Sequence, residues 1–223
     1  MYRQAQAVST GFCGLHYVVS RLGTTELMKL TAIATALCLS TALLGCATTY
    51  FETTGDALSQ PLCQSKAGQF SALVLWGPIW RANQKDVPLR EEAALRGIED
   101  FASTCFGAVS IRRLEGGRLA ETPTDEQVRA LAANEVLPPD RVLVVIVREL
   151  GPVIQILGPV AAFGGGTEVV LELQTRDPRS GEPIVKLQTH WHNGGSFVIK
   201  STKTLPQDMQ SALQAALASA QSQ

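Results

Sequence analysis

No part of this sequence carries a surplus of charge. Its 19 Lys and Arg face 20 Asp and Glu, a formal net charge of −1, and the charges are scattered along the chain. That pattern excludes the basic stripe that tracks nucleic acid and the acidic tail that seeks a charged partner. No segment repeats and no heptad is sustained, so neither a repeat array nor a coiled coil is expected. Histidine is scarce, three residues in all. There is no Gly-x-Ser-x-Gly elbow, and Gly164, Gly165 and Gly166 lack the Lys-Ser/Thr of a phosphate-binding loop. The apolar run over residues 30–44 falls short of the roughly 20 residues a hydrocarbon-spanning helix needs.

What that run does have is the layout of an export signal. Met28 and Lys29 open it, apolar residues broken only by Thr and Ser follow, and Gly45 and Cys46 close it. A charged start, a short apolar stretch and a small residue at the cut are the parts of a secretory leader. A soluble core helix would show a polar face at helical spacing, and this run shows none. Leu43, Leu44, Gly45 and Cys46 resemble the lipobox of bacterial lipoproteins, with Leu44 standing where Ala or Ser is commoner. The resemblance implies cleavage before Cys46 and acylation, palmitate included, at that residue. Each buried CH₂ contributes about 0.8 kcal/mol, and the several acyl chains of such proteins make attachment effectively permanent. Ala47, where Asp would signal otherwise, implies an outer-membrane address facing the periplasm.

Met28 makes a conventional start, so residues 1–27 read as a mis-set N-terminal extension and residues 28–45 as the signal peptide. Cys13, His16 and Cys38 leave the functional inventory with them. With Cys46 committed to lipid, Cys63 and Cys105 are an even pair in an oxidising compartment, and a disulfide is expected between them. The competing reading, a reactive thiol near His190, has nothing in the sequence to lower a thiol pKa.

Residues 46–66 read as a tether, rich in Thr, Ser, Gly, Asp and Gln, with a reach on the order of 20 Å. Residues 67–223 read as one α/β domain. A first strand runs over residues 70–76 and stops at Gly77 and Pro78. Pro88 opens a helix with Glu91 and Glu92 in its first turn, and Leu95, Ile98, Ala102 and Cys105 share one face. Residues 108–114 form a second strand. Thr124 and Gln127 have capping-box spacing ahead of a helix that buries Val128, Leu131 and Ala132. Residues 142–147 are apolar without interruption, as a central strand covered on both faces should be. Gly151 and Pro152 read as a turn, residues 153–157 as another strand, and residues 158–166 as a loop. Residues 168–174 alternate like a half-exposed strand, and residues 183–191 answer them across a turn at 177–181. Thr204 and Gln207 repeat the capping spacing before a last helix with Leu205, Met209, Ala212, Leu213 and Ala216 inward.

The expected fold is therefore α/β, a mixed sheet with helices packed on it. The element order and the Asp-x-x-x-Gly turn from Asp177 to Gly181 resemble the small domain of periplasmic assembly lipoproteins, among them curli-secretion, penicillin-binding-protein activator and transport-auxiliary types. No signature residue comes with that resemblance, so it transfers no site.

Among candidate residues, His190 and His192 project from one face of a strand, and Glu168 or Glu172 could add the third ligand zinc would want. The plainer expectation is two solvated histidines beside Lys186 and Gln188, with no metal and no cofactor. Trp76 and Trp80 flank Gly77 and Pro78 and are candidates for an exposed aromatic contact patch. The favoured reading is a non-enzymatic lipoprotein, held to the membrane through Cys46, that binds or helps assemble another envelope protein. The alternatives are a small hydrolase or metal-dependent enzyme using His190 and His192, and a lipoprotein that binds a small ligand.

Overall fold

The computed structural model describes residues 2–8, 47–56, 63, 70–116, 122–157, 162–196 and 198–221. The signal peptide and Cys46 lie outside the described residues. The strands are β1 (Tyr2–Val8), β2 (Thr48–Gly55), β3 (Ser71–Pro78), β4 (Ala108–Arg113), β5 (Arg141–Leu157), β6 (Ala162–Arg176) and β7 (Pro183–Ser196). The helices are α1 (Val87–Cys105), α2 (Asp125–Ala133) and α3 (Leu205–Gln221), the last preceded by a 3₁₀ turn, Thr202–Thr204. One sheet holds all the strands, in the order β1-β2-β7-β6-β5-β3-β4. β3 runs parallel to β4 and β5, and the remaining pairs are antiparallel. The expected mixed α/β architecture is what forms.

Two apolar layers flank the sheet. On one face α1 and α3 cover Val74, Val145, Val147, Val169, Leu171, Leu173, Leu187 and Trp191 with Ile98, Phe101, Met209 and Leu213. On the other, α2 covers only Leu73, Leu75, Val142, Val144 and Ile146 with Val128 and Ala132. Successive residues of β5 thus meet different helices, which is why the run over residues 142–147 needs no polar position. α2 begins as expected: the Thr124 hydroxyl accepts from Gln127 N, and the Gln127 side chain accepts from Thr124 N. Its first-turn Asp125 meets the buried Arg176 guanidinium at 2.8 Å, tying the helix to the 177–181 turn.

Several expectations need correction. The tether assigned to residues 46–66 contains β2, fully paired to β7 from Thr48↔Gly194 to Gly55↔Leu187. Thr is β-branched and suits a strand, and Thr53 packs inward to share a 3.1 Å hydrogen bond with Thr189. β1, from the segment set aside as an extension, pairs with β2 at the sheet edge. Gly151 and Pro152 do not turn the chain: β5 passes through them after a register shift between Val147 and Glu149. Its pairing to β3 ends at Val147, so Pro152 sits where one side of the strand has no neighbour and its missing N–H costs nothing. Gly151 makes room for Arg90, whose guanidinium occupies the space a Cβ would take and donates to Leu150 O. Gly164, Gly165 and Gly166 belong to β6, not to a loop.

Two helix-start details also differ. α1 starts at Val87, which moves Glu91 and Glu92 past its first turn; Glu91 instead accepts from Trp80 Nε1 at 3.3 Å and pairs with Arg113 at 2.9 Å. The Thr204 hydroxyl engages Ser201 O and Asp208 Oδ2, each at 3.0 Å, where a capping box would have it accept from Gln207 N.

Candidate functional site

β7 alternates strictly, Val185, Leu187, Thr189 and Trp191 inward, and Lys186, Gln188 and His190 outward. Beyond the reach of α2, the outward residues of β2, β7 and β6 form a bare polar face. Register sets Glu52 beside His190 and Tyr50 beside His192 on one side, and Val170 beside His190 and Glu168 beside His192 on the other. His190 Nε2 lies 2.7 Å from Glu168 Oε1. Tyr50 Oη donates to Glu52 Oε2 at 3.4 Å, and Arg148 Nε donates to Glu172 Oε1 at 2.5 Å. Of the two carboxylates proposed beside the histidines, Glu168 is therefore engaged with His190 and Glu172 with Arg148. Glu52 and Tyr50 were hidden from sequence reasoning because their segment was read as a tether.

His192 lies over the glycines. A Cβ on Gly166 would sit 2.8 Å from its Nε2, and one on Gly194 2.8 Å from its Cε1. Gly166 and Gly194, paired across β6 and β7, give the imidazole a flat floor, which accounts for part of the glycine run without any phosphate. Burial holds the His192 pKa below its ordinary 6.5, against the opposing pull of Glu168. His192 Nε2 has no hydrogen-bond partner among the described residues.

This arrangement orients a proton between Glu168 and His190, and a metal centre asks for a third donor. Among the described residues no group of three or more His, Cys, Asp or Glu side chains could hold a metal ion.

A second candidate region is the open groove lined by Arg129, Asp140, Arg141, Asp177 and Arg179. Its carboxylates serve the backbone. Asp140 accepts from Ser71 N at 2.8 Å, and Asp177 from Ser180 N at 2.9 Å and Arg179 N at 2.7 Å. Those bonds hold both pKa values below the ordinary 3.8.

Trp76 and Trp80 are not a surface patch. Each is only 3% exposed; Arg113 covers Trp76, 5.5 Å from its ring centroid, and Trp80 closes the core edge under α1. Cys63 and Cys105 form a disulfide, with Cα atoms 4.6 Å apart at a sequence separation of 42. Cys105 ends α1 facing the core, as its place on the helix face predicts.

No protein-family model matches the sequence, and no curated protein is similar to it. Among solved structures the chain is similar to the PelC dodecamer from Paraburkholderia phytofirmans, at 12% identity and a TM-score of 0.41, over 76% of this chain and 96% of that one. It is similar to lipoprotein GNA1162 from Neisseria meningitidis at 17% identity and a TM-score of 0.38, covering 67% and 99% of the two chains. Protein XCC0632 from Xanthomonas campestris stands at 11% and 0.34, covering 74% and 91%. Likenesses this slight assign neither a family nor an activity.

Proposed function

We propose that this chain is a non-enzymatic lipoprotein of the bacterial envelope, anchored through acyl chains on Cys46, binding or helping to assemble another envelope component with its α/β body. The observation that carries the reading is the Leu-Leu-Gly-Cys motif at residues 43–46, set at the end of a charged-then-apolar leader. Ala47 favours the outer membrane, facing the periplasm. No helix among the described residues is long and apolar enough to cross a membrane.

The paired β2 changes what the anchor does. Thr48, its first residue, is two positions past Cys46, so the sheet itself would begin at the membrane with no spacer. Cleavage before Cys46 would also remove β1, whose neighbour in the sheet is β2. The outer edge of β2 would then carry unpaired backbone N–H and C=O groups, the kind of edge to which a partner adds a strand.

The test is Cys46→Ala with membrane fractionation and crosslinking in intact cells. The variant is expected in the soluble fraction and should lose the wild type's crosslinked partner; a variant that stays membrane-bound refutes the anchor. The Glu168–His190 pair keeps a metal-dependent enzyme as the second reading. Stoichiometric zinc in the purified protein, lost in His190→Ala, would replace the first reading with that one.

A further inference from the structure

The end of the sheet nearest Cys46 has a composition unlike the rest of the molecule. One row of the sheet runs Thr48–Gly194–Gly166–Val153 through β2, β7, β6 and β5. β2 enters the sheet at this row. β5 and β6 continue beyond it through the pairs Ile154↔Gly165, Gln155↔Gly164, Ile156↔Phe163 and Leu157↔Ala162. At about 3.3 Å per residue that extension projects roughly 13 Å past the row. The direction is the one in which Ala47 precedes Thr48.

Residues 150–167 contain no Asp, Glu, Lys or Arg. Within that stretch Ile154 is 77% exposed, and nearby Ile199 is 89% exposed. The chain at Val198 lies against this extension, since a Cβ on Gly165 would sit 2.5 Å from Val198 O and 3.1 Å from Val153 O. Charge resumes behind the row at Glu149, paired with Arg81 and Arg90, and at Glu168, paired with His190, while Lys200, next to Ile199, is paired with Asp208. Exposed isoleucines in an uncharged projection are out of place in water and suited to the acyl-headgroup boundary, where apolar side chains are buried and no ion is desolvated.

We infer that this end is a membrane-contact surface: the β5–β6 extension, with Ile154 and Ile199, lies in the interface of the bilayer that holds the acyl chains on Cys46. The inference rests on the proposed lipid anchor and adds an orientation to it. Strand axes stand on the membrane, α2 and the loop at Val136 and Leu137 point away, and the edges of β2 and β4 face sideways. The bilayer is favoured over a second copy of the chain because the lipid attachment point and the uncharged extension share one end.

The test uses the acylated protein purified from membranes and reconstituted into phosphatidylethanolamine–phosphatidylglycerol vesicles with and without brominated acyl chains. Ile154→Cys, Ile199→Cys and, as the control, Val136→Cys each receive one thiol-reactive fluorophore. Val136 is 97% exposed and just as apolar, but precedes β5 at the opposite end of the sheet. Brominated lipid is expected to diminish emission at 154 and 199 and leave 136 unchanged. Emission at 154 that follows the control, in protein that still floats with vesicles, overturns the inference and leaves the anchor standing. Self-crosslinking through position 154 without quenching overturns it in favour of a second copy. Protein that does not float overturns both.

Discussion

Ile146 and Val170 lie on the same face of the same sheet, on adjacent strands, and differ in what covers them. Ile146 is fully buried in the cluster it shares with α2, Leu114 and Ile79, whereas Val170 stands half-exposed among Glu168, Glu172 and His190. One half of the sheet is buried on both faces; the other is buried on one. The difference shows where stability and adaptability reside. β3 and β5 are fixed by packing from both sides, while the outward positions of β2, β6 and β7 contribute little to the core.

The largest way to break this comparison is in the sealed half. Ile146→Ala is expected to cost about 2–5 kcal/mol in urea denaturation, and Gln188→Ala, on the bare half, no more than about 0.5 kcal/mol. Equal costs would mean the two halves do not differ as described. Next comes the border where α1 stops covering β5. Arg90 and Glu149 form a 3.5 Å pair with side chains 12% and 11% exposed, and Arg90 also serves Leu150 O. Arg90→Ala should cost about 2–3 kcal/mol, less than a fully orphaned buried charge because Arg81 still reaches Glu149. Thr124→Ala removes the cap of α2, which packs on the cluster containing Ile146, and should cost about 1 kcal/mol. Urea denaturation of that variant should show a lowered midpoint with the native m-value.

The smallest effect sharpens the bare half. Burial lowers the His192 pKa below 6.5, so the unfolded chain takes up this proton before the folded one does. The stability this group contributes is present above about pH 6.5 and is lost as pH falls through and below that value. His192→Gln should flatten the stability profile in that window. Parallel profiles for the two proteins would remove His192 from the account.

Most of the sealed half was legible in the sequence. The uninterrupted apolar residues 142–147, the Thr124–Gln127 spacing and the helix faces of α1 and α3 each point to one local structure. The bare half and the sheet edge were harder. β2 reads as a linker because Thr48, Thr49, Thr53 and Thr54 are polar, and only the partner Thr189 reveals why Thr53 is inside. Gly151 and Pro152 look like a turn until Arg90 and the end of β3 supply their reason. The glycines of β6 answer to His192 and to the chain at Val198, contacts that no local window contains. Trp76 and Trp80 sit at a strand end, where residue type alone does not distinguish lid from surface. His190 and His192 were visible as a pair, but which carboxylate each would meet depended on strand register.

The bridge between Cys63 and Cys105 has a consequence for how this protein breaks. It encloses β3 and α1 in a covalent ring, so a protease that nicks any bond inside the ring releases nothing. The cut protein would migrate as one chain on a gel without reductant and as two pieces once a thiol is added.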